Sequence, residues 1–138
     1  MILLDTHILL WLVSATPRLG VAARNEIQAA WDEGEAAVSS FTFWETALQY
    51  DKGRLELDMP PRVLYRGWIA DGLNAVPVDD EIAIRSVELG TEGFHPDPAD
   101  RIITATAILG GYRLATADRE ITDWANRTRL VSILDPNS

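Results

Sequence analysis

The chain has 138 residues, of which 47% are apolar and 24% charged, with a formal net charge of −9 and no cysteine. That size and composition suit one domain with a real core, and the missing cysteines exclude disulfides and thiolate metal sites. The acidic balance argues against a protein that grips nucleic acid by broad phosphate neutralisation.

Nine of the twelve residues over 2–13 are apolar, and Asp5 interrupts them. Residues 2–5 read as a buried strand feeding a helix that runs to about Val13. The acid then stands at the strand's carboxyl end, where open α/β sheets bind ligands. Asp is also a favoured helix N-cap, and at this position alone the two readings are equal. No apolar run approaches the ~20 residues of a membrane helix. The first basic residue is Arg18, too late for a secretory leader, so a cytoplasmic protein is expected.

A break at Thr16-Pro17 precedes a predicted helix over 21–33, which Gly34 ends; Ala36–Ser39 reads as a strand. The helix predicted over 42–52 carries Phe43, Trp44, Ala47 and Leu48 on one stripe, a core-facing pattern, with Gly53 just beyond it. Pro60-Pro61 opens an amphipathic helix containing Val63, Leu64, Trp68 and Ile69. A strand over 74–78 contains Pro77 and belongs at a sheet edge. Asp79 opens the next helix and Gly90 closes it. Asp97-Pro98 is a strong helix start, and the helix over 99–109 is apolar enough to lie in the body of the domain. A strand over 114–116 leads to Asp118, then a short helix, then a last strand over 130–134. This alternation predicts an α/β fold, a single domain over 1–138 whose central, mainly parallel sheet is flanked by helices.

Four acids take comparable places in that plan. Asp5 and Asp118 follow strands, Glu45 lies in the helix after the second strand, and Asp100 is in the first turn of the buried helix. If the strands are parallel neighbours, all four face one pocket. Clustered carboxylates repel unless a cation offsets them, and hard ions such as Mg²⁺ or Mn²⁺ prefer oxygen ligands. Each acid also has a local explanation. Thr42-Phe43-Trp44-Glu45 matches a capping box, Asp97 and Asp100 suit a helix start, and Asp118 is a good cap for the helix from Arg119.

The chain resembles the PIN-domain ribonucleases, and within them the VapC-type toxins of type II toxin–antitoxin pairs. The resemblance rests on Leu4-Asp5-Thr6-His7, Trp44-Glu45, His95-Pro96-Asp97-Pro98-Ala99-Asp100-Arg101 and Leu114-Ala115-Thr116-Ala117-Asp118. It implies a PIN-like fold and Asp5, Glu45, Asp100 and Asp118 as the acids that bind one or two Mg²⁺ or Mn²⁺ ions. It gives Thr116, Asp97 and Thr6 supporting positions, with Asp97 holding or capping rather than catalysing. Thr42 stands where relatives often carry serine before the helix of Glu45. The implied chemistry is in-line attack of an activated water on an RNA phosphodiester with the 3′-oxygen leaving, giving 5′-phosphate and 3′-hydroxyl ends. Arginines near the cleft would complete the grip on RNA. A cognate antitoxin protein and a homodimer are the implied partners, with the antitoxin received by the helices around Phe41–Leu48 and Val63–Ile69. His7 follows Asp5 in the turn and has little claim to a catalytic role, and His95, beside Pro96, is expected to be structural.

Two other phosphate-handling folds also begin with a strand and an acid. A haloacid-dehalogenase phosphatase needs a second Asp two residues on, where this chain has His7. A receiver domain needs a late lysine, and the only lysine is Lys52. The remaining alternative is a PIN-like module that binds RNA or a partner without cutting, since a fold alone does not guarantee turnover.

Overall fold

Ile2–Leu4 forms β1, the middle strand of a five-stranded sheet in the computed structural model, which describes residues 1–138. Its side chains alternate between two cores. Ile2 and Leu4 join Ile8, Leu9, Ile27 and Trp31 on one face, and Leu3 joins Phe94, Ile103, Leu114 and Trp124 on the other. A strand covered on both faces has no polar side to show, which is why its sequence is a continuous apolar run.

The remaining strands are β2 (Ala36–Ser39), β3 (Asn74–Val76), β4 (Arg113–Ala115) and β5 (Ile133–Leu134). Their order is β3-β2-β1-β4-β5, and every neighbouring pair is parallel. The chain builds outward from β1 to β3, then returns to the other side of β1 for β4 and β5. The direction of winding therefore reverses between β1 and β4, and the crevice at the carboxyl ends of those two strands is where such sheets take ligands.

The helices are α1 (Thr6–Val13), α2 (Val21–Asp32), α3 (Ser40–Asp51), α4 (Pro61–Ala70), α5 (Asp80–Glu88), α6 (Pro98–Gly110) and α7 (Arg119–Thr128). Four of them start on an Asp cap: Asp5, Asp79, Asp97 and Asp118 each accept a hydrogen bond from a backbone N–H of the first turn. The middle of α6, from Ile103 to Ala107, is buried as its composition requires. β3 lies at a sheet edge and stops at Val76, before Pro77. No helix is long and apolar enough to cross a membrane.

Three local expectations are corrected. The helix after β2 begins at Ser40, not Thr42, because Ser39 caps it by accepting from the Phe41 N–H at 3.1 Å. Its inward face is not the apolar stripe. Thr42 and Thr46 are the buried residues, Phe43 and Leu48 are half-buried, and Trp44 is 57% exposed. Gly90 does not close α5; a short 3-10 turn (Leu89–Glu92) follows it, and Gly93, at φ +85°, ends that turn. The left-handed conformation there is one that glycine adopts without a Cβ clash.

Candidate active site

Asp5 sits where β1 ends and α1 begins, 6% exposed. Its Oδ1 accepts from the Thr6 N–H at 2.7 Å, which is the cap of α1, and its Oδ2 accepts from the Thr116 hydroxyl at 2.7 Å. Capping and clustering are therefore not alternatives, because one carboxylate does both with different oxygens. Thr116 lies just past β4, and its hydroxyl also accepts from the Asp118 N–H at 3.1 Å. Asp118 in turn caps α7, with Oδ1 accepting from the Ile121 N–H at 2.9 Å. The carboxyl ends of β1 and β4 are thus laced together through one hydroxyl.

Glu45 reaches the same crevice from α3. The capping-box reading fails, since the residue lies more than a turn inside the helix and does not bond back to its start. Its Oε1 accepts from the Thr6 hydroxyl at 2.8 Å, and that hydroxyl is 2.9 Å from the hydroxyl of Thr42. Thr6 has one hydroxyl proton, spent on Glu45, so Thr42 donates to Thr6. Thr42 is therefore inside the helix as the buried end of a relay that orients Glu45.

Asp97 caps α6, its Oδ1 accepting from the Asp100 N–H at 2.9 Å. Asp100, one turn on, directs Oδ2 at Nε2 of His95, 2.7 Å away. The sequence predicts a structural role for His95 in its loop, whereas the fold sets it against the acids. Its ring stacks on Phe94 with centroids 4.5 Å apart, and Phe94 packs edge-on against Trp124. Arg101 fixes the backbone of that loop, donating to the carbonyls of His95 at 2.8 Å and Phe94 at 3.0 Å. These contacts engage the Arg101 Nε and Nη2 in holding the loop. Loops carry no periodicity, so the only sequence signal for His95 was its place five residues before Asp100 in the same motif.

Burial is the first cause that raises the carboxyls of Asp5, Glu45 and Asp100 above the ordinary carboxylate range. Hydrogen bonds oppose it at each: Thr116 on Asp5, Thr6 on Glu45, His95 on Asp100. The acids also feel one another. Asp118 raises Asp5, Asp5 and Asp100 raise Glu45, and Asp97, Asp118 and Asp5 raise Asp100. These influences connect Asp5, Glu45, Asp100 and Asp118 in a chain, with Asp97 acting on Asp100, whereas the tightest group of possible ligand atoms includes neither Asp5 nor Glu45. Ligand atoms of His95, Asp100 and Asp118 lie within 4.8 Å of one another. An oxygen-rich set of mutually repelling, partly buried carboxylates is a donor set that fits a divalent cation.

Two grooves flank the acids. One of about 280 Å³ runs from Thr6 and Glu45 past His7 to Gln49 and Arg54. The other, about 540 Å³, lies beyond Thr116 and carries Arg119, Thr122 and Asn126. His7 is exposed in the first turn of α1, at the mouth of the first groove.

The family model of the PIN domain matches residues 2–126. Over 120 residues the chain is 34% identical to Ribonuclease VapC22 of Mycobacterium tuberculosis, covering 87% of this chain and 88% of that protein. A toxin-antitoxin complex from Klebsiella pneumoniae contains a chain of similar structure, at 25% identity and a TM-score of 0.69, covering 99% of this chain and 98% of that one. DNA-bound VapBC from Salmonella typhimurium shares the fold at 21% identity and a TM-score of 0.67, over 97% of this chain and 96% of that one. On the family match and this degree of identity, the chain belongs to the PIN-domain family, and within it to the VapC type.

Proposed function

We propose that the protein is a divalent-metal-dependent endoribonuclease, the toxin of a toxin–antitoxin pair, which hydrolyses RNA phosphodiesters at the carboxylate crevice. The observation that carries this reading is the link from Asp5 through the Thr116 hydroxyl to the Asp118 backbone, which ties two distant acids together at the sheet's switch point. Asp5, Glu45, Asp100 and Asp118 hold the cation. Bound there, Mg²⁺ or Mn²⁺ would lower the pKa of a water molecule and offset charge building on the phosphate.

The chain's own groups do the positioning. Thr116 and the Thr6 backbone fix both oxygens of Asp5, the Thr42–Thr6 relay orients Glu45, and Asp97 anchors the backbone of Asp100. The two flanking grooves each offer one arginine, Arg54 and Arg119, to neighbouring phosphates. Guanidinium groups suit that task because their fork matches phosphate oxygens. Water is the nucleophile, so the RNA 2′-hydroxyl is not consumed and the products carry 5′-phosphate and 3′-hydroxyl ends.

The antitoxin docks on the outer faces of α3 and α4, where Trp44, Val63 and Ile69 are exposed. Exposed large apolar side chains on two neighbouring helices are the kind of surface a partner covers. A homodimer working in the cytoplasm completes the reading. Its test is cleavage of end-labelled RNA with and without Mg²⁺ or Mn²⁺, alongside Asp5→Asn. Metal-dependent cutting that vanishes in the variant supports a nuclease. Absence of cutting across tRNA, rRNA and mRNA pools, with metal bound, would favour a non-cleaving binding module.

A further inference from the structure

The Nε2 of His95 occupies a place in the acid cluster that a hydrogen bond alone does not account for. It lies 2.7 Å from Asp100 Oδ2 and 3.7 Å from Glu120 Oε2, and it completes a three-residue set with Asp100 and Asp118. Asp118 uses Oδ1 to cap α7, which leaves its other oxygen for the crevice. The ring is held by stacking on buried Phe94, and its backbone by Arg101. An imidazole fixed in this way loses little freedom on taking up a ligand, the condition under which ordering costs least.

We propose that His95 is itself a ligand of the divalent cation, which gives the site one nitrogen among its oxygens and a preference for a first-row transition-metal ion over Mg²⁺. The inference rests on the metal-site reading above and names the cation class that site selects. Adjacent ligands on a six-coordinate ion with bonds of ~2.1 Å stand about 3 Å apart. The His95–Asp100 pair needs to open by only a few tenths of an ångström to reach that spacing, with the cation replacing the shared proton. Imidazole nitrogen favours transition metals, whereas Mg²⁺ favours oxygen and retains its waters.

The test uses the full chain loaded with Mn²⁺ and pulsed electron paramagnetic resonance, which detects a directly bound ¹⁴N. The chain has two histidines, His7 and His95, so the source of any nitrogen signal is resolved by His7→Gln and His95→Gln. The expected result is ¹⁴N modulation in the unaltered protein and in His7→Gln, and none in His95→Gln. Competition titrations should show the Mn²⁺-to-Mg²⁺ affinity ratio falling at least tenfold in His95→Gln. Bound Mn²⁺ without ¹⁴N modulation, or modulation that disappears only in His7→Gln, overturns the assignment and leaves His95 as a residue that positions Asp100. If His95→Gln does not fold, as judged by circular dichroism, the spectra of the other two proteins decide alone. Failure of the unaltered protein to bind Mn²⁺ would instead defeat the metal-site reading itself, and this inference with it.

Discussion

Thr116 and Asp5 are separated by 111 residues in the chain, yet the hydroxyl of one donates to the carboxylate of the other at 2.7 Å. Both residues are almost fully buried. The same oxygen accepts from the Asp118 N–H, so Thr116 satisfies an acceptor on one strand end and a donor on the other. Buried polar groups that lose such partners carry their full desolvation penalty.

Thr116→Val keeps the shape and removes the hydroxyl. It should destabilise the protein by about 1–3 kcal/mol, the range for leaving buried polar groups unpaired, as read from urea melts. Thr116→Ser should recover more than half of that loss. Equal stability of Val and wild-type proteins would mean that the link is not a structural tie.

Asp5→Asn has the opposite character. It removes a charge from a site where burial already opposes ionisation, while the amide keeps the carboxylate's shape. The amide has one acceptor where the carboxylate uses two, for the Thr6 N–H and the Thr116 hydroxyl. The gain from losing the buried charge is thus offset by a lost hydrogen bond, and the metal-free variant should stay folded with a melting temperature close to wild type. RNA cleavage should fall at least a hundredfold, which corresponds to about 3 kcal/mol of lost transition-state stabilisation. A destabilised variant with retained cleavage would assign Asp5 to structure instead.

The pH dependence follows from the direction of three shifts. Asp5, Glu45 and Asp100 all bind protons more readily in the folded protein than their ordinary values of 3.8, 4.5 and 3.8 imply. Their contribution to stability is fully present below those values and is lost as pH rises through the folded ones. In EDTA, the melting temperature should therefore fall as pH rises above the ordinary values of 3.8 and 4.5, and the slope should be shallower in Asp5→Asn. Saturating Mn²⁺ should flatten the fall, because a bound cation stabilises the charged forms and the folded state by mass action. Identical slopes with and without the ion would argue that the ion binds elsewhere.

Trp44 stacks on Phe41 and is more than half exposed. Trp44→Glu should cost at most about 1.5 kcal/mol, the scale of one aromatic pair, and should weaken binding of the cognate antitoxin at least tenfold by calorimetry. Unchanged affinity would move the antitoxin off this face.

Much of this arrangement is legible in the sequence because it follows from rules that act locally. Ile2–Leu4 and Ala36–Ser39 are short apolar runs bounded by polar residues, and Asp79, Asp97 and Asp118 are caps where the pattern put them. The face of α3 was not legible for a physical reason. Only Phe43 of the apolar stripe packs on the core around Ile8 and Leu9, while the fully buried residues are Thr42, bonded to Thr6, and Thr46, bonded to the Thr42 carbonyl. Hydrophobic periodicity looks for apolar stripes and passes over threonines that are buried with their hydroxyls paired. The match of Thr42 and Glu45 to a capping box was a coincidence of spacing, resolved by Ser39 starting the helix earlier. His95 escaped because its position depends on Arg101 and Phe94 folding the loop back, which no local pattern encodes.

β1 is the first strand made and the central one, yet its neighbour β4 comes from the last quarter of the chain. A nascent polypeptide that has reached Gly111 already contains Asp5, Glu45, His95 and Asp100, but Thr116 and Asp118 have not been synthesised. One flank of β1 is then bare, and the crevice has a single wall. Because the closing contact spans nearly the whole polypeptide, its entropy must be met late. The acid cluster therefore cannot assemble until the chain beyond Asp118 has been made, and a product truncated at Gly111 carries Asp5, Glu45 and Asp100 without the strand and the acid that complete their geometry.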